Sequence, residues 1–362
     1  MSILDDYDYH LPKELIANSP ASPRDSSRLF VYDTKTGTVT FDIFRNIGTH
    51  LPKPSLLVFN NTKVVPARLW LKKELLPTRG GIRAGGGKIE VLLMMNEYRT
   101  GDELIKGVVD RKILPGAKLY FQSGDYLEIM KQEEQFFFFR PSVTIPELFE
   151  LLTKEGVTPI PPYIKNANIP EQVLREKYQS VLAKHAASVA APTASLHFTE
   201  ELLFALEKEH IKKTEITLHV GAGTFAPISE ENFTNKKLFT EYLAIGNESA
   251  AMINHAKEEG TPIIPVGTTA MRTLESSAIK NGSTFTIEEC TKPTNIFIYP
   301  PYEFKIADGL ITNFHVPRSS LMLLVDALLK HKRAPHDILA LYDIAIKERF
   351  RFYSFGDSML IL

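Results

Sequence analysis

The sequence predicts an α/β fold in which a mostly parallel sheet domain carries an inserted small antiparallel β-barrel. Three observations lead there. Beyond residue 142, helical and strand-like runs alternate, the pattern of helices laid on a largely parallel sheet. Between about residues 64 and 140 the runs are short and β-type (KIEVLLM, AKLYF, YLEIM, QFFFFR) and are separated by Gly, Asp and Ser turns, as in a small barrel or sandwich. Residues 28–33 and 55–59 read as strands that need a sheet to join. One discontinuous domain (1–62 and 142–362) interrupted by residues 63–141 is therefore more economical than two domains in series.

Along the chain, residues 77–87 (PTRGGIRAGGG) hold five glycines with Arg79 and Arg83 and read as an exposed loop in the barrel. Thr144 caps a helix that stops before Gly156, and a second helix is expected over residues 170–185, with Pro170 tolerated in its first turn. Thr199 reads as an N-cap, with Phe198 and Leu203 spaced as a hydrophobic staple. Later helices begin near Ser249, Thr269, Ser319 and Pro335. The strands between them are expected at residues 215–220, 262–266, 310–314 and 351–355.

Composition narrows the class. With 44% hydrophobic and 23% charged residues, the 362-residue chain has the make-up of a soluble globular protein of about two domains. No apolar stretch exceeds five residues, as at 321–325, far too short to cross a bilayer, and residues 1–10 carry three aspartates rather than a secretion signal. Cys290 is the only cysteine, which rules out an intrachain disulfide or a cysteine-cluster zinc site and fits a reducing, cytoplasmic setting. No heptad or long apolar stripe calls for a partner helix, so a monomer is expected. A net charge of −1 argues against a broad basic surface. Residues 60–90 nevertheless hold seven basic side chains (Lys63, Arg68, Lys72, Lys73, Arg79, Arg83, Lys88) against Glu74 and Glu90, which reads as a solvated face or as a phosphate-contacting patch.

Four stretches share one grammar, an extended run giving way to small, polar or histidine residues: SVAAPTASLHF (188–198), LHVGAGTF (218–225), VGTTAMRTLES (266–276) and LITNFHVPRSS (310–320). Such junctions suggest one site assembled at the ends of several strands. Gly221 and Gly223 offer close backbone approach to a ligand. His197, His219 and His315 are candidates for proton transfer, each equally readable as a buried, hydrogen-bonded histidine. Thr268 and Thr269 open a helix toward an anion, with Arg272 one turn on. Asn313 sits in the same kind of junction, and Tyr163, in the proline-stiffened TPIPPYIKN, is free to stack on a base or to pack. Asp357 either serves a ligand hydroxyl or closes a terminal strand. No HExxH motif occurs, no lysine follows Gly267 at Walker spacing, and the third glycine of a dinucleotide fingerprint is absent after Gly223, so metal, ATP and NAD are not indicated.

In order, the strings LPKELIA, PRDSSRL, FNNTKVVPARL, GVTPIPPYI, YQSV, SVAAPTASLHFTEEL, LHVGAGTFAPI, VGTTAMRTLES, TNIFIYPPYEFK, LITNFHVPRSSLMLLV and FRFYSFGDSMLI closely resemble the S-adenosylmethionine:tRNA ribosyltransferase-isomerase family of the queuosine pathway, across essentially the whole chain. The resemblance implies an α/β domain with an inserted barrel. It also implies transfer of the ribosyl part of S-adenosylmethionine to 7-aminomethyl-7-deazaguanine at the tRNA wobble position, with rearrangement to epoxyqueuosine and release of adenine and methionine. S-adenosylmethionine is then a substrate, and no cofactor is implied. A base at the sulfonium-acidified C5′ and an acid at adenine are needed; His219 and His315, then His197, suit those tasks, and which is which stays open. Thr268, Thr269 and Arg272 suit the methionine carboxylate, and Lys63, Arg68, Arg79 and Arg83 suit the tRNA. Asn61, Ala187, Ser195 and Phe239 depart from the family pattern, which usually has Asp, Gly, Gly and His there. A non-catalytic RNA-binding module and a methyltransferase are the competing readings. The second lacks the glycine-rich loop after its first strand and the acidic residue after its second.

Overall fold

In the computed structural model, residues 3–73, 87–161, 163–164, 169–221 and 228–362 are described; Gly223, Arg79, Arg83 and nearly all of the glycine-rich stretch 77–87 lie outside them. The first strands are β1 (Arg28–Tyr32), β2 (Val39–Ile43), β3 (Ser55–Asn60) and β4 (Thr62–Val64). The barrel strands follow: β5 (Arg68–Lys73), β6 (Lys88–Leu93), β7 (Ile105–Val109), β8 (Lys118–Tyr120), β9 (Tyr126–Glu133) and β10 (Phe136–Pro141). Next come helices α1 (Ile145–Glu155) and α2 (Glu171–Lys177), strand β11 (His185–Ser188), α3 (Glu200–Lys208), β12 (Ile211–His219), α4 (Glu230–Asn235) and β13 (Lys237–Ile245). After α5 (Asn247–Glu258) and β14 (Ile263–Val266), α6 (Thr268–Ser277) leads to the short pair β15 (Ile279–Asn281) and β16 (Thr284–Thr286), then β17 (Cys290–Ile296) and β18 (Leu310–Asn313). The chain finishes with α7 (Ser320–His331), α8 (Ile338–Lys347) and β19 (Ser358–Ile361).

Nine strands form one mixed sheet in the order β17-β13-β12-β3-β14-β18-β19-β1-β2. Its centre, β12-β3-β14-β18, is parallel, so the carboxyl ends of four strands open on the same edge. Antiparallel pairings flank that centre at β12-β13, β13-β17, β18-β19 and β1-β2. The parallel character expected from the alternating runs thus belongs to the middle of the sheet and to the β19-β1 pair. Side chains alternate between its faces as the period of a strand requires. Leu57, Phe59, Ile264, Val266, Leu29 and Val31 pack with Leu202, Leu203 and Leu206 of α3 on one face. On the other face, Leu56, Val58 and Ile216 meet α5 and α6, while Phe30, Tyr32 and Leu310 meet α7 and α8.

Strands β5 to β10 close into a barrel in the order β10-β7-β6-β5-β8-β9. Its core takes alternate residues such as Leu69, Leu71, Ile89, Val91, Leu127 and Ile129, and also Leu148, Leu151 and Leu152 of α1. This hydrophobic unit therefore runs past the expected boundary at 141. Helix α1 starts as expected, with Thr144 and Glu147 forming a capping box. Thr199 likewise accepts from the Leu202 N–H at 3.1 Å.

Two expected elements differ. The helix anticipated over 170–185 stops at Lys177, because the Gln179 side chain turns to bond both N–H and C=O of Val64, and Lys184 N–H bonds Asn61 O. These partners turn the chain at residues 180–183 and bring 185–188 alongside β4, which pairs with β11. The strand anticipated at 351–355 is a tight turn instead, and the last strand starts at Ser358. Asp357 Oδ2 accepts the Arg351 N–H at 2.9 Å and Asp357 N–H returns to Arg351 O at 2.8 Å, which closes the chain on itself.

The edge where the parallel strands end is stapled by Asn60, a fully buried residue. Its Nδ2 donates to Leu218 O (3.0 Å) and Thr269 Oγ1 (3.2 Å), and its Oδ1 accepts from the N–H groups of Leu218 (3.0 Å) and Thr62 (3.2 Å). One amide thus ties β3, β12, β4 and α6. Asn60→Ala leaves these groups dry and unpaired, so a loss of about 3 kcal/mol in unfolding free energy is expected. Urea unfolding measures it, and a loss below ~1 kcal/mol rules the staple out.

Candidate active site

A cavity of about 510 Å³ opens at the carboxyl edge of the parallel strands. Its wall is made by Val220 after β12, Gly267, Thr268, Thr269 and Arg272 at the start of α6, Thr312 to Leu321 from the end of β18 to the start of α7, residues 190–194 after β11, and Tyr163, Tyr178, Tyr353 and Ser354. This is where open α/β sheets place ligands. The start of α6 can face the cavity because Gly267 adopts φ +92°, a conformation that side chains resist, between β14 and the helix. Leu4 closes one side. Its segment is held by Arg318, itself in the wall, which pairs with Asp8 at 2.8 Å and Asp5 at 3.4 Å and donates its N–H to Tyr7 O.

Of the three candidate histidines, only His315 lines the cavity. Its Nε2 shares a hydrogen with Thr312 Oγ1 at 2.8 Å, its N–H donates to Tyr342 Oη at 2.8 Å, and its carbonyl accepts from Tyr9 Oη. Burial lowers its pKa from 6.5 to about 3, so the ring is neutral at pH 7. His197 lies behind the wall. Its Nδ1 meets Ser27 Oγ at 2.8 Å and its Nε2 accepts from Asn313 Nδ2 at 3.2 Å. Burial lowers its pKa to about 4. Asn313 Nδ2 also reaches Asp357 O (3.4 Å), which fixes the amide orientation and leaves Oδ1, buried in the cavity wall, without a hydrogen bond among the described residues.

His219 stands apart from the cavity wall, with its Nδ1 against Thr62 Oγ1 at 2.8 Å. Burial, then the Arg99 charge, lowers its pKa to about 4. Arg99 comes from the loop between β6 and β7 of the barrel, and its guanidinium lies 3.2 Å from the ring centre of Tyr242, the residue paired with His219. Gly221 also serves the protein: its N–H donates to Glu241 Oε1 at 3.2 Å, and a Cβ there would come within 2.7 Å of Asn96 Nδ2. The close approach anticipated for a ligand at Gly221 is thus one between the sheet and the barrel.

Arg272 reaches the cavity as expected, but not alone. Its Nη1 is 2.5 Å from Glu241 Oε2, with both side chains more than nine-tenths buried, and its Nε has no hydrogen-bond partner among the described residues. A pair this dry requires both members, since removing either leaves an uncompensated charge. Tyr163 lines the cavity with its hydroxyl 2.6 Å from Ser354 Oγ and its ring 4.7 Å from that of Tyr353; burial raises its pKa to about 12. Asp357 does not line the cavity. Its carboxylate is taken by Arg351 (Nη2 at 2.8 Å) and by the N–H groups of Arg28 and Arg351, so it latches β1 to the last turn instead of holding a ligand. Among the proposed RNA contacts, Lys63 is exposed on β4, whereas Arg68 is tied to Glu90 at 2.8 Å and to Ile160 O. Among the described residues no group of three His, Cys, Asp or Glu is placed to hold a metal ion, and no helix is long and apolar enough to cross a membrane.

A family model described as "Queuosine biosynthesis protein" matches residues 4–361. The chain belongs to this family. Members similar to it include the S-adenosylmethionine:tRNA ribosyltransferase-isomerases of Carboxydothermus hydrogenoformans (42% identical, covering 99% of each chain) and Clostridioides difficile (42%, 98% of each). A crystal structure of S-adenosylmethionine tRNA ribosyltransferase from Thermotoga maritima superposes with a TM-score of 0.53 at 32% identity, over 99% of this chain and 100% of that one.

Asn61, where the resemblance leads one to expect an aspartate, has a local reason. Its Nδ2 donates to Glu215 Oε2 at 3.1 Å and its Oδ1 accepts from Thr217 Oγ1 at 2.7 Å, so an aspartate here would face a second carboxylate. Phe239 is 42% exposed on β13 and takes no part in the cavity wall. Glu241 and Arg318 carry no local signal in the sequence, because their importance lies in partners distant along the chain.

The three neutral histidines fix a pH dependence. Their folded pKa values of about 4, 4 and 3 lie below the unfolded 6.5, so the unfolded chain gains protons first as pH falls. Their contribution to stability is complete above about pH 6.5 and is lost progressively toward pH 4. Urea midpoints are expected to be level from pH 7 to 8 and to fall from pH 6.5 to 4.5, with a shallower fall in His197→Gln. A midpoint indifferent to pH over that interval contradicts the neutral assignment.

Proposed function

We propose that this enzyme transfers the ribosyl moiety of S-adenosylmethionine to 7-aminomethyl-7-deazaguanine at the anticodon wobble position of tRNA and isomerises it, yielding epoxyqueuosine-tRNA, adenine and methionine. The observation that carries the reading onto residues is the cavity in which the start of α6, Asn313 and His315 meet. Thr268, Thr269 and the spare face of Arg272 receive the methionine carboxylate at the helix N-terminus. The bare Oδ1 of Asn313 accepts a hydrogen from a ribose hydroxyl or the adenine amine, held in place by His197. Tyr163 and Tyr353 supply an aromatic wall for the nucleoside.

His315 is neutral at pH 7 and, with Nε2 engaged by Thr312, presents Nδ1 as the base for the C5′ hydrogen that the sulfonium acidifies. Imidazolium is poorly tolerated there, so the proton leaves readily, and adenine departing with its nitrogen protonated is a fitting acceptor. His219, one residue before Val220 of the wall but with its ring on Thr62 outside the cavity, takes no direct part in this proton transfer. S-adenosylmethionine acts as substrate without a separate cofactor, and the enzyme works as a cytoplasmic monomer.

Incubation with S-adenosylmethionine and tRNA bearing the aminomethyl-deazaguanine is expected to release adenine and methionine together. Formation of S-adenosylhomocysteine would instead mean methyl transfer, and no turnover would leave an RNA-binding protein. His315→Ala is expected to lower turnover at least tenfold, about 1.4 kcal/mol of barrier, with the fold intact by circular dichroism. A wild-type rate in that variant sinks the assignment. Arg272→Lys, which cannot keep Glu241 and present a planar fork at once, is expected to raise KM for S-adenosylmethionine more than it lowers kcat.

A further inference from the structure

The barrel bears charge and aromatic surface that the cavity does not use. Residues 63–141 contain 14 Lys and Arg against 10 Asp and Glu, a net of +4, so the remainder of a chain whose total is −1 carries −5. Five of those cations are matched to acids: Arg68 to Glu90, Lys106 to Glu97, Arg111 to Asp110, Lys131 to Glu133 and Arg140 to Glu103. Lys72 and Lys88 have no ion-pair partner among the described residues, and both are exposed. Strand register brings them together on the outside of the barrel. Lys72 stands directly opposite Lys88 on β6 and opposite Tyr120 on β8, while Leu69 and Leu71 point into the core. Trp70, two residues before Lys72 and on the same face, is 42% exposed. Beyond Tyr120, the Lys118 ammonium lies 4.5 Å from the ring centre of Tyr126.

Two features of this face are unfavourable in an isolated barrel. Like charges directly across a strand pair repel, and a half-exposed tryptophan leaves apolar area in water. Both become favourable against a polyanion that carries unpaired bases, since lysines displace counterions from phosphates and an indole stacks on any base. We propose that the face formed by Trp70, Lys72, Lys88, Lys118 and Tyr120 is the docking surface for the RNA substrate, with the lysines on the phosphate backbone and Trp70 against an unpaired base. This rests on the reading of tRNA as the substrate, and it moves the contact from Arg68, whose guanidinium is already engaged, to its neighbours along β5.

The test uses the full-length chain and the substrate tRNA, with affinity measured at several salt concentrations. The Lys72→Ala, Lys88→Ala double variant is expected to bind tRNA at least fivefold more weakly, with the slope of log K against log salt reduced by roughly 1–2. Trp70→Ala is expected to lose at least fivefold with the slope unchanged, and Trp70→Phe to recover part of it. Affinity for S-adenosylmethionine, measured without tRNA, stays at the wild-type value in all of them. If wild type binds the tRNA and every variant binds it equally well, the docking face is overturned while the proposed reaction stands. If wild type releases no adenine yet the variants still lose RNA affinity, the face stands and the reaction falls.

Discussion

The site depends on one buried amide. Asn60 sits where the central strand β3 ends, and its side chain supplies hydrogen bonds that the backbone ladder can no longer provide. Both polar groups of Leu218 are satisfied there, so β12 can diverge toward its glycine without leaving dry N–H or C=O groups. The same amide holds Thr269 on the first turn of α6. The helix start, the end of β12 and the crossing to β4 are therefore fixed relative to one another before any ligand arrives, which is the condition for orientation to contribute to rate.

Around that staple the site is assembled from dipoles and matched charges. Its histidines are held neutral, and the two arginines in the wall face carboxylates, Arg272 toward Glu241 and Arg318 toward Asp5 and Asp8. A cavity with its positive charges already balanced suits a substrate that brings its own sulfonium and ammonium, which bare guanidinium groups would repel. The N–H groups at the start of α6 remain for the one anionic end. The Glu241 link to the Gly221 N–H carries this balance across to the strand that meets the barrel.

Local signals in the sequence were good guides to elements and to the strand-end location of the site. Thr144 and Thr199 mark helix starts because capping depends on residues three or four apart. Alternation along KIEVLLM or YLEIM marks barrel strands for the same reason. The failures came where a distant partner overrides local preference: Gln179 unwinds a helix by bonding Val64, and Asp357 folds residues 351–356 into a turn. Site residues divide in the same way. Thr268, Thr269, Arg272, Asn313 and His315 share the cavity because they lie at or just beyond the ends of β14 and β18, and Tyr163 joins them from the segment after α1, whereas His197, beyond β11, and Asp357, just before β19, turn inward to protein partners. Nothing in the one-dimensional pattern distinguishes a histidine that faces a cavity from one that faces Ser27.

The exit from the barrel also has a thermodynamic consequence. Arg68 and Val157 exchange backbone hydrogen bonds, N–H to O in both directions, at 3.3 and 2.8 Å. The chain therefore leaves and re-enters the sheet layer through a single doorway. Closing a floppy loop of that length would cost on the order of 4 kcal/mol in chain entropy. A barrel that folds as its own closed cylinder, plugged by α1, brings the two ends together by itself, so the surrounding sheet is spared that entropy. An excursion of this size is then thermodynamically similar to a short hairpin, and the interior of the excursion is free to diverge as long as the doorway is kept.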